Sequence, residues 1–240
     1  MSTLLLRLAG PLQAWGTESR FNTRQTGRAP SKSGVIGLLA AALGWRRDAD
    51  LSELRALLYG VRTDQEGNLL RDYQTVRVPG AKNSDITYRY YLSDAVFLVG
   101  LESADDALLR KLDAALRAPA WPLFLGRRSC PPTLPLALGL REVELERALR
   151  EEPWQVSDWH RKGWERRHPN EAPALTLLLD EPDPRPDAAV VRDNPISFDQ
   201  RRREYGFRAV TGRGTVTPPD CLARLPDVTE HDAFSEVAGT

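Results

Sequence analysis

The chain begins with an apolar segment that hardly alternates. Residues 3–9 are Thr-Leu-Leu-Leu-Arg-Leu-Ala, a pattern typical of a strand that is buried on both faces. Residues 10–31 have no apolar periodicity and predict a long loop, and loops of that length inside a compact domain are usually functional or disordered. The next apolar run predicts a helix that Ser31 or Ser33 caps and that ends near Leu43.

The pattern of the following residues predicts an alternation of strands and helices. The expected elements are a short helix at 51–59, strands at 60–64, 69–78 and 87–101, an amphipathic helix at 104–117 and a strand at 136–143. Residues 65–68 are expected to join two of the strands as a hairpin turn. The order strand, helix, strand, strand, helix, strand is that of the ferredoxin-like fold, which RNA-recognition modules share.

The last third of the chain is less regular. Residues 150–170 contain three tryptophans and many charges without a clear period, while 174–180 and 188–192 predict strands and 196–217 predict two more short ones. The fold class expected is therefore α+β. It has a ferredoxin-like (RRM-like) domain over residues 1–145 and a smaller β-rich part with a polar tail over 146–240.

Composition adds a segregation of charge. The chain has 33 Lys and Arg against 33 Asp and Glu, and all but four of the basic residues are arginine. Residues 1–47 carry seven basic side chains and one acidic one, whereas residues 218–240 carry five acidic side chains and one basic one. A basic segment of this kind suggests a polyanionic partner, and arginine is the residue that forks onto phosphate.

Several classes of protein are not favoured. Two cysteines, Cys130 and Cys221, do not make a zinc site by themselves and do not resemble a secreted disulfide framework. The apolar start is interrupted by Arg7 too early for a signal peptide, and the apolar run from Val35 to Trp45 is far below a membrane span. We expect a cytoplasmic protein with no membrane contact, no metal and no cofactor.

The long N-terminal loop is the strongest candidate site. Between a strand end and a helix start it places side chains that bind phosphate or stack on bases, and these are Gln13, Trp15, Arg20, Arg24, Arg28, Lys32 and Ser33. The start of the helix would add unpaired N–H groups and the positive end of its dipole. The alternative is a solvated loop around a buried tryptophan.

Two further segments are candidate RNA contacts. A glycine turn followed by Arg127, Arg128 and Ser129 could clamp a phosphate, or could be an ordinary exposed turn. Two strands joined by a polar loop over residues 72–92 could form a projecting β-finger, or an ordinary hairpin. The side chains expected on this finger are Arg71, Arg77, Lys82, Tyr88 and Arg89.

Catalytic groups are sparse. His160 and His168 lie in one charged stretch, and a histidine with nearby Lys and Tyr could cleave RNA without a metal, but nothing in the pattern fixes these groups on one face. His231 lies in the acidic tail. Residues 200–203 (Gln-Arg-Arg-Arg) could touch phosphate, although a charge run is more often a solvated face.

Three motifs in chain order resemble the CasD family of RAMP-type proteins. The first consists of residues 6–16 (Leu-Arg-Leu-Ala-Gly-Pro-Leu-Gln-Ala-Trp-Gly) with Thr23-Arg24, Gly27-Arg28, Pro30, Ser33-Gly34 and Gly37-Leu38-Leu39. The second is Leu70-Arg71-Asp72-Tyr73 with Thr75-Val76, and the third is residues 125–131 (Leu-Gly-Arg-Arg-Ser-Cys-Pro). The resemblance covers residues 3–140, and ordered motifs are far more specific than any single one.

The resemblance implies a fold and a function. Members of the family are subunits of the type I-E CRISPR complex called Cascade, an antiviral ribonucleoprotein. Each member has a ferredoxin-like domain with a β-hairpin thumb, grips the five-prime handle of the CRISPR RNA, and contacts the large PAM-recognising subunit and the neighbouring backbone subunit. Target DNA is expected near the thumb. In this branch another subunit cuts the precursor RNA, so the resemblance implies no catalytic residue.

Two alternatives remain open at this point. In the type I-C branch the related subunit does cut RNA, with Tyr, Lys and His, and those roles do not map onto this sequence. The runner-up is therefore a metal-independent RNA endonuclease that processes CRISPR precursor RNA. A third possibility is a protein scaffold whose RNA contact is incidental.

Overall fold

The computed structural model describes residues 1–16, 23–77, 79–80, 83–183, 186 and 188–222. The strands are β1 (Ser2–Ala9), β2 (Leu12–Gln13), β3 (Thr23–Arg24), β4 (Leu58–Gln65), β5 (Asn68–Val76), β6 (Asp85–Ser93), β7 (Val96–Ser103), β8 (Ala137–Arg141), β9 (Leu175–Asp180), β10 (Ala189–Ser197) and β11 (Glu204–Val216). The helices are α1 (Lys32–Ala42), α2 (Ser52–Arg55), α3 (Asp106–Arg117), α4 (Leu145–Glu151), α5 (Asp158–Arg167) and α6 (Pro219–Leu222).

A seven-stranded antiparallel sheet carries the core, in the order β10-β11-β9-β4-β7-β1-β8. Strand β1 is buried on both faces, as its unalternating sequence predicts. Leu4 and Leu6 pack into the cluster that α1 and α3 cover, whereas Leu5 packs on the other face with leucines of α4 and β9. Helices on both faces therefore explain why the leucines at 4, 5 and 6 follow one another without alternation.

The two helices that the sequence predicts most clearly are confirmed. Helix α1 begins after Ser31, whose side chain accepts from the N–H of Gly34, and the chain leaves the helix through Gly44 at a φ of +74°. Helix α3 begins after Asp105, whose carboxylate accepts from the N–H groups of Ala107 and Leu108. Its leucines, at 108, 109, 112 and 116, are all buried.

A second sheet contains a hairpin and corrects two predictions. Residues 65–68 do not form a hairpin turn, because β4 pairs with β7 and β9 in the large sheet whereas β5 pairs with β6 in the second one. The single strand expected at 87–101 is likewise two strands, which separate at Asp94 with a φ of +56°. Short strands β2 and β3 pair along the other edge of β6.

The region after residue 144 contains the elements that the sequence missed. Helices α4 and α5 occupy the stretch that seemed aperiodic, and residues 196–217 contain one long strand, β11, where two short ones were expected. Strands β9 to β11 extend the same sheet that β1 and β4 form. The division at residue 145 stays a prediction. Among the described helices none is both long and apolar enough to cross a membrane.

Candidate nucleic-acid interface

The N-terminal loop is fixed by two side chains that were predicted to touch RNA. Gln13 is 0% exposed and its amide nitrogen donates to the carbonyls of Leu8 (3.1 Å) and Ala95 (2.7 Å). Trp15 is 1% exposed, and its indole N–H donates to the Gln13 side-chain oxygen at 3.0 Å. Because these polar atoms already have partners inside the protein, the two residues shape the loop, and we no longer assign them a direct RNA contact.

Close packing around Trp15 explains Gly34 of the first motif, and hydrogen bonds tie the 26–27 segment to the same residue. A Cβ on Gly34 would lie 2.9 Å from the Trp15 ring, so only glycine lets helix α1 accept that ring. The N–H of Gly27 donates to the Trp15 carbonyl at 2.7 Å, and the Thr26 hydroxyl accepts from the Trp15 N–H at 2.8 Å. The segment that carries Arg24 and Arg28 is thus tied to the N-terminal loop.

Lys32 and the start of helix α1 are already occupied by protein groups. The Lys32 ammonium is buried and donates to the Leu57 carbonyl (2.8 Å) and to the Asp180 carboxylate (2.9 Å). The Lys32 N–H donates to Asp193 at 2.8 Å, so a carboxylate stands where we expected phosphate at the helix start. Ser33 is half-buried beside Ser31, with 3.4 Å between the two hydroxyl oxygens.

The same carboxylates hold Arg208 and Tyr59. The Arg208 guanidinium pairs with Asp193, 2.5 Å from Nε to Oδ1, and with Asp180, and these pairs raise its pKa although burial opposes them. The Tyr59 hydroxyl donates to the Pro30 carbonyl at 2.7 Å, and burial raises the pKa of Tyr59. This buried network joins β9, β10 and β11 to the start of α1.

Arg127 brings three distant segments together. Its guanidinium lies 4.6 Å from the centre of the Tyr91 ring and donates to the Arg24 carbonyl at 3.0 Å. Strand β3 runs parallel to β6 with Arg24 opposite Arg89. We call Arg24, Arg89, Arg127 and Arg128 the arginine cluster.

The arginine cluster has no acidic partner in the part of the chain that the structure describes. None of its four residues, nor exposed Arg28, makes an ion pair with a described residue. Moreover, Arg89 Nε and Arg127 Nη1 are buried nitrogens without a hydrogen-bond partner among the described residues. Buried donors in proteins are nearly always satisfied, so this surface has the donors and the charge for an anion.

Gly126 holds the arginine turn against the N-terminal loop. Its φ is +81°, and a Cβ at this position would lie 1.8 Å from the Ala14 carbonyl oxygen. The Ala14 N–H donates to the Leu125 carbonyl (3.1 Å), and the Cys130 N–H closes the turn onto the Arg127 carbonyl (2.9 Å). Arg128 and Ser129 are exposed at the tip of this turn.

The β5–β6 hairpin carries a second basic and aromatic surface. Tyr73 and Tyr88 lie opposite each other, and their rings meet edge to face at 5.9 Å. Arg71 lies over the Tyr88 ring at 5.4 Å, and Arg77 is exposed just beyond β5. Tyr73 and Tyr91 were not among the predicted site residues. Their alternation with Arg71 and Arg89 on paired strands is the signal that could have found them.

The remaining predicted residues divide into two groups. Arg20 and Lys82 lie outside the described residues. His160 and His168 contact different tryptophans: the His160 ring meets Trp154 edge to face at 5.9 Å, and His168 stacks on Trp164 at 4.4 Å. Burial, together with the Arg167 charge, lowers the pKa of His160.

The model of one protein family, described as CRISPR-associated protein (Cas_Cas5), matches residues 3–211. The chain belongs to this family. One relative is the CRISPR system Cascade subunit CasD of Escherichia coli (strain K12). This chain is 43% identical to it over 159 residues, which are 58% of this chain and 70% of that protein. The family resemblance found in the sequence is confirmed.

Two solved structures resemble the whole Cas_Cas5 chain. A chain of a "CRISPR RNA-guided surveillance complex" is 32% identical, with a TM-score of 0.75 over 98% of this chain and 99% of that one. A "Cas protein" crystal structure is 41% identical, with a TM-score of 0.69 over 93% of this chain and 97% of that one. The mixed α+β architecture expected from the sequence is confirmed.

Proposed function

We propose that this chain is a non-catalytic RNA-binding subunit of a type I-E CRISPR Cascade surveillance complex in the cytoplasm, and that it grips the five-prime handle of the CRISPR RNA. The observation that carries this proposal is the arginine cluster. Its two buried nitrogens, Arg89 Nε and Arg127 Nη1, lack partners among the described residues. A phosphate of the handle would supply acceptors to both.

The mechanism that we propose is recognition of a single-stranded backbone, with base stacking beside it. Guanidinium groups fork onto phosphate oxygens, and the stack of Arg127 on Tyr91 fixes the orientation of one such fork before RNA arrives. Exposed Arg28, Arg128 and Ser129 extend the same surface. Gln13, Trp15 and Lys32 act indirectly, because they hold the segments that carry these side chains.

The ferredoxin-like assignment and the thumb are part of this proposal. The order β8-β1-β7-β4 supports the assignment, since the ferredoxin-like fold arranges its four strands in this way. We assign the thumb to the β5–β6 hairpin, where Arg71, Arg77, Tyr88 and Arg89 lie. Its exposed apolar side chains are Leu69, Leu70, Tyr73, Val76 and Ile86.

Those apolar side chains also support the proposed protein partners. Exposed apolar residues that gather on one hairpin are typical of an interaction surface. We assign this surface to the neighbouring backbone subunit, with target DNA near the hairpin tip, and we expect the large PAM-recognising subunit to contact the chain elsewhere.

The experiment that tests the RNA grip reverses charge at the arginine turn. In the assembled complex, Arg127→Glu with Arg128→Glu is expected to lower the retained handle RNA at least tenfold, because two guanidinium groups become carboxylates. Arg110→Glu with Lys111→Glu, on exposed positions of helix α3, is the matched control. Equal RNA retention in both variants would contradict the proposal.

The non-catalytic part needs a separate test. The purified chain is incubated with a labelled CRISPR repeat RNA, and no sequence-specific product is expected. Cleavage that is lost on His160→Ala or His168→Ala would replace this part of the proposal by the endonuclease, whatever the retention assay gives.

A further inference from the structure

Helix α5 presents an exposed stripe that the arginine cluster does not include. Trp159, Lys162 and Arg166 are spaced three and four residues apart, so they lie on one face of the helix. The Trp159 side chain is 80% exposed, which is unusual for the largest apolar residue type. Lys162 and Arg166 are exposed as well, and neither makes an ion pair with a described residue.

The opposite side of α5 is anchored, and this fixes the direction of the stripe. Arg161 pairs with Asp220 at 2.6 Å and donates to the Trp154 carbonyl at 3.0 Å. The Trp164 ring packs edge to face on Trp154 at 5.7 Å. Because these contacts anchor one face of α5 to the rest of the protein, the opposite face, which carries Trp159, is directed to solvent.

Helix α5 also contains a glycine that no packing contact with a described residue requires. Gly163 is one helical turn after Trp159, and after proline glycine is the residue least favourable to a helix interior. A Cβ at this position would meet no atom within 4 Å, so nothing in the described chain requires glycine there. The absent side chain leaves the backbone open at this position, next to Lys162 in sequence and one turn after Trp159.

We propose that this stripe is a second nucleic-acid site, which binds a single strand with a base stacked on Trp159 above Gly163 and with phosphates at Lys162 and Arg166. A flat aromatic face and two cations match the base and the backbone of a single strand, whereas a duplex hides its bases. Glu165 lines a groove together with Trp159, Lys162 and Arg166. Because its carboxylate would repel phosphate, we place the nucleic-acid backbone on the side of the two cations. The inference is independent of the handle site.

The test measures binding of fluorescent twelve-nucleotide oligo(dT), oligo(rU) and a twelve-base-pair duplex to the full chain. It is done in the native background and again with Arg127→Glu and Arg128→Glu, so that the arginine cluster does not hide the result. Trp159→Ala is expected to weaken single-strand binding about tenfold, since stacking of one base contributes on that scale. Trp121→Ala, which removes another exposed tryptophan, is the matched control.

Two further variants separate charge and shape. Lys162→Gln with Arg166→Gln is expected to flatten the salt dependence of single-strand affinity by about 1.4 in the logarithmic slope, the value for two lost phosphate contacts. Arg110→Gln with Lys111→Gln, on exposed positions of α3, is its control. Gly163→Ala is expected to raise the melting temperature and yet to weaken binding severalfold, a combination that a purely structural glycine does not give.

The outcomes decide as follows. Weakening in both the DNA and the RNA arm supports the site, and the tighter arm identifies its natural strand. The proposal is overturned if Trp159→Ala binds like the control, if duplex binding weakens as much as single-strand binding, or if Gly163→Ala only stabilises. Unchanged oligonucleotide binding together with loss of a protein subunit from the assembled complex would make this face a protein interface, and would also overturn it.

Discussion

Two arginines of this chain, Arg62 and Arg127, show what the same side chain does in two surroundings. The Arg62 guanidinium is 0% exposed, and all five of its N–H donors have partners. Two of these bonds go to Asp64, at 2.7 and 2.8 Å, and the others go to the carbonyls of Leu149, Glu152 and Pro153. Arg127 instead lies on a ring, donates to carbonyls of the 24–25 segment, and keeps one buried nitrogen without a described partner.

The difference separates an arginine that stabilises the fold from one that we propose binds RNA. A buried guanidinium without hydrogen-bond and charge partners destabilises a fold by several kcal/mol. Arg62 can therefore be buried only because its network is complete, and that network ties β4 to the end of α4. The arginine cluster has no acidic partner among the residues that the structure describes, and we propose that an external anion completes it. Arginine content alone does not distinguish these two roles.

The largest effect is expected from opening the complete network. Arg62→Met removes the guanidinium that donates to the buried Asp64 carboxylate and to three carbonyls, and should lower the free energy of unfolding by about 3–5 kcal/mol. Denaturant unfolding measures this loss. Arg117→Ala removes an exposed pair with Asp113 and should lower the free energy of unfolding far less, because exposed ion pairs contribute little. Similar losses of stability in the two variants would contradict the structural role assigned to the Arg62 network.

The next effect concerns the contact that positions the arginine turn. Gly126→Ala places a Cβ on the Ala14 carbonyl at a positive φ, and should destabilise the fold by about 2 kcal/mol or more while weakening handle-RNA binding. Gly214→Ala is the control, because Gly214 also has a positive φ, +70°, but a Cβ there would meet nothing within 4 Å. Thermal melts and RNA titrations of both variants separate backbone strain from the clash.

Removal of arginines of the cluster should have the opposite effect to Arg62→Met, with a loss of RNA affinity and little loss of stability. Arg24→Ala and Arg89→Ala are expected to weaken handle-RNA binding about tenfold each, because each removes a charge-assisted donor. The free energy of unfolding should change by less than about 0.5 kcal/mol, since no described acidic partner is left behind. Affinity measured over a salt series, with Arg110→Ala as control, tests this. A loss of stability without a loss of affinity would place these residues with Arg62.

The smallest effect is a pH dependence at His160. Burial lowers its pKa in the folded chain, and the charge of Arg167 lowers it further. The folded state therefore disfavours the protonated ring, and the stability that neutral His160 contributes is present above its ordinary pKa of 6.5 and is lost as the pH falls below that value. Unfolding midpoints at pH 7.5 and 5.0 should differ less in His160→Phe than in the native chain. An unchanged difference would show that other groups cause it.

The sequence predicts the strongly patterned elements and fails where tertiary contacts decide. β1 follows from its unalternating apolar run and α1 from its serine cap and apolar run, while α3 follows from its cap and from leucines buried at the helical period. Helices α4 and α5 were missed because α4 is short and α5 is highly charged, with no buried residue of its own. The split at Asp94 was missed because residues with high strand propensity run through both β6 and β7, although the two strands belong to different sheets.

The candidate site shows the same limit at the level of single residues. The segments around Arg24, Arg89 and Arg127 are identifiable from arginine, tyrosine and glycine content. The interior roles of Gln13, Trp15 and Lys32 are not, because a polar side chain in a loop gives no local sign that its partners are carbonyls or carboxylates far along the chain. Asp180 and Asp193, which hold Lys32 and the start of α1, come from the last third of the sequence.

The contact between Gly126 and Ala14 has a consequence for the order of events during synthesis. The surface that surrounds it needs the segments at 24–28, 89–91 and 127–128 together, so a ribosome that has made only the first segment has made no complete site. At typical elongation rates the remaining hundred or so residues take about 5–20 s. During this interval the early arginines are exposed without the surroundings that orient them. A nascent chain should therefore acquire selective RNA affinity abruptly, once the arginine turn has left the exit tunnel.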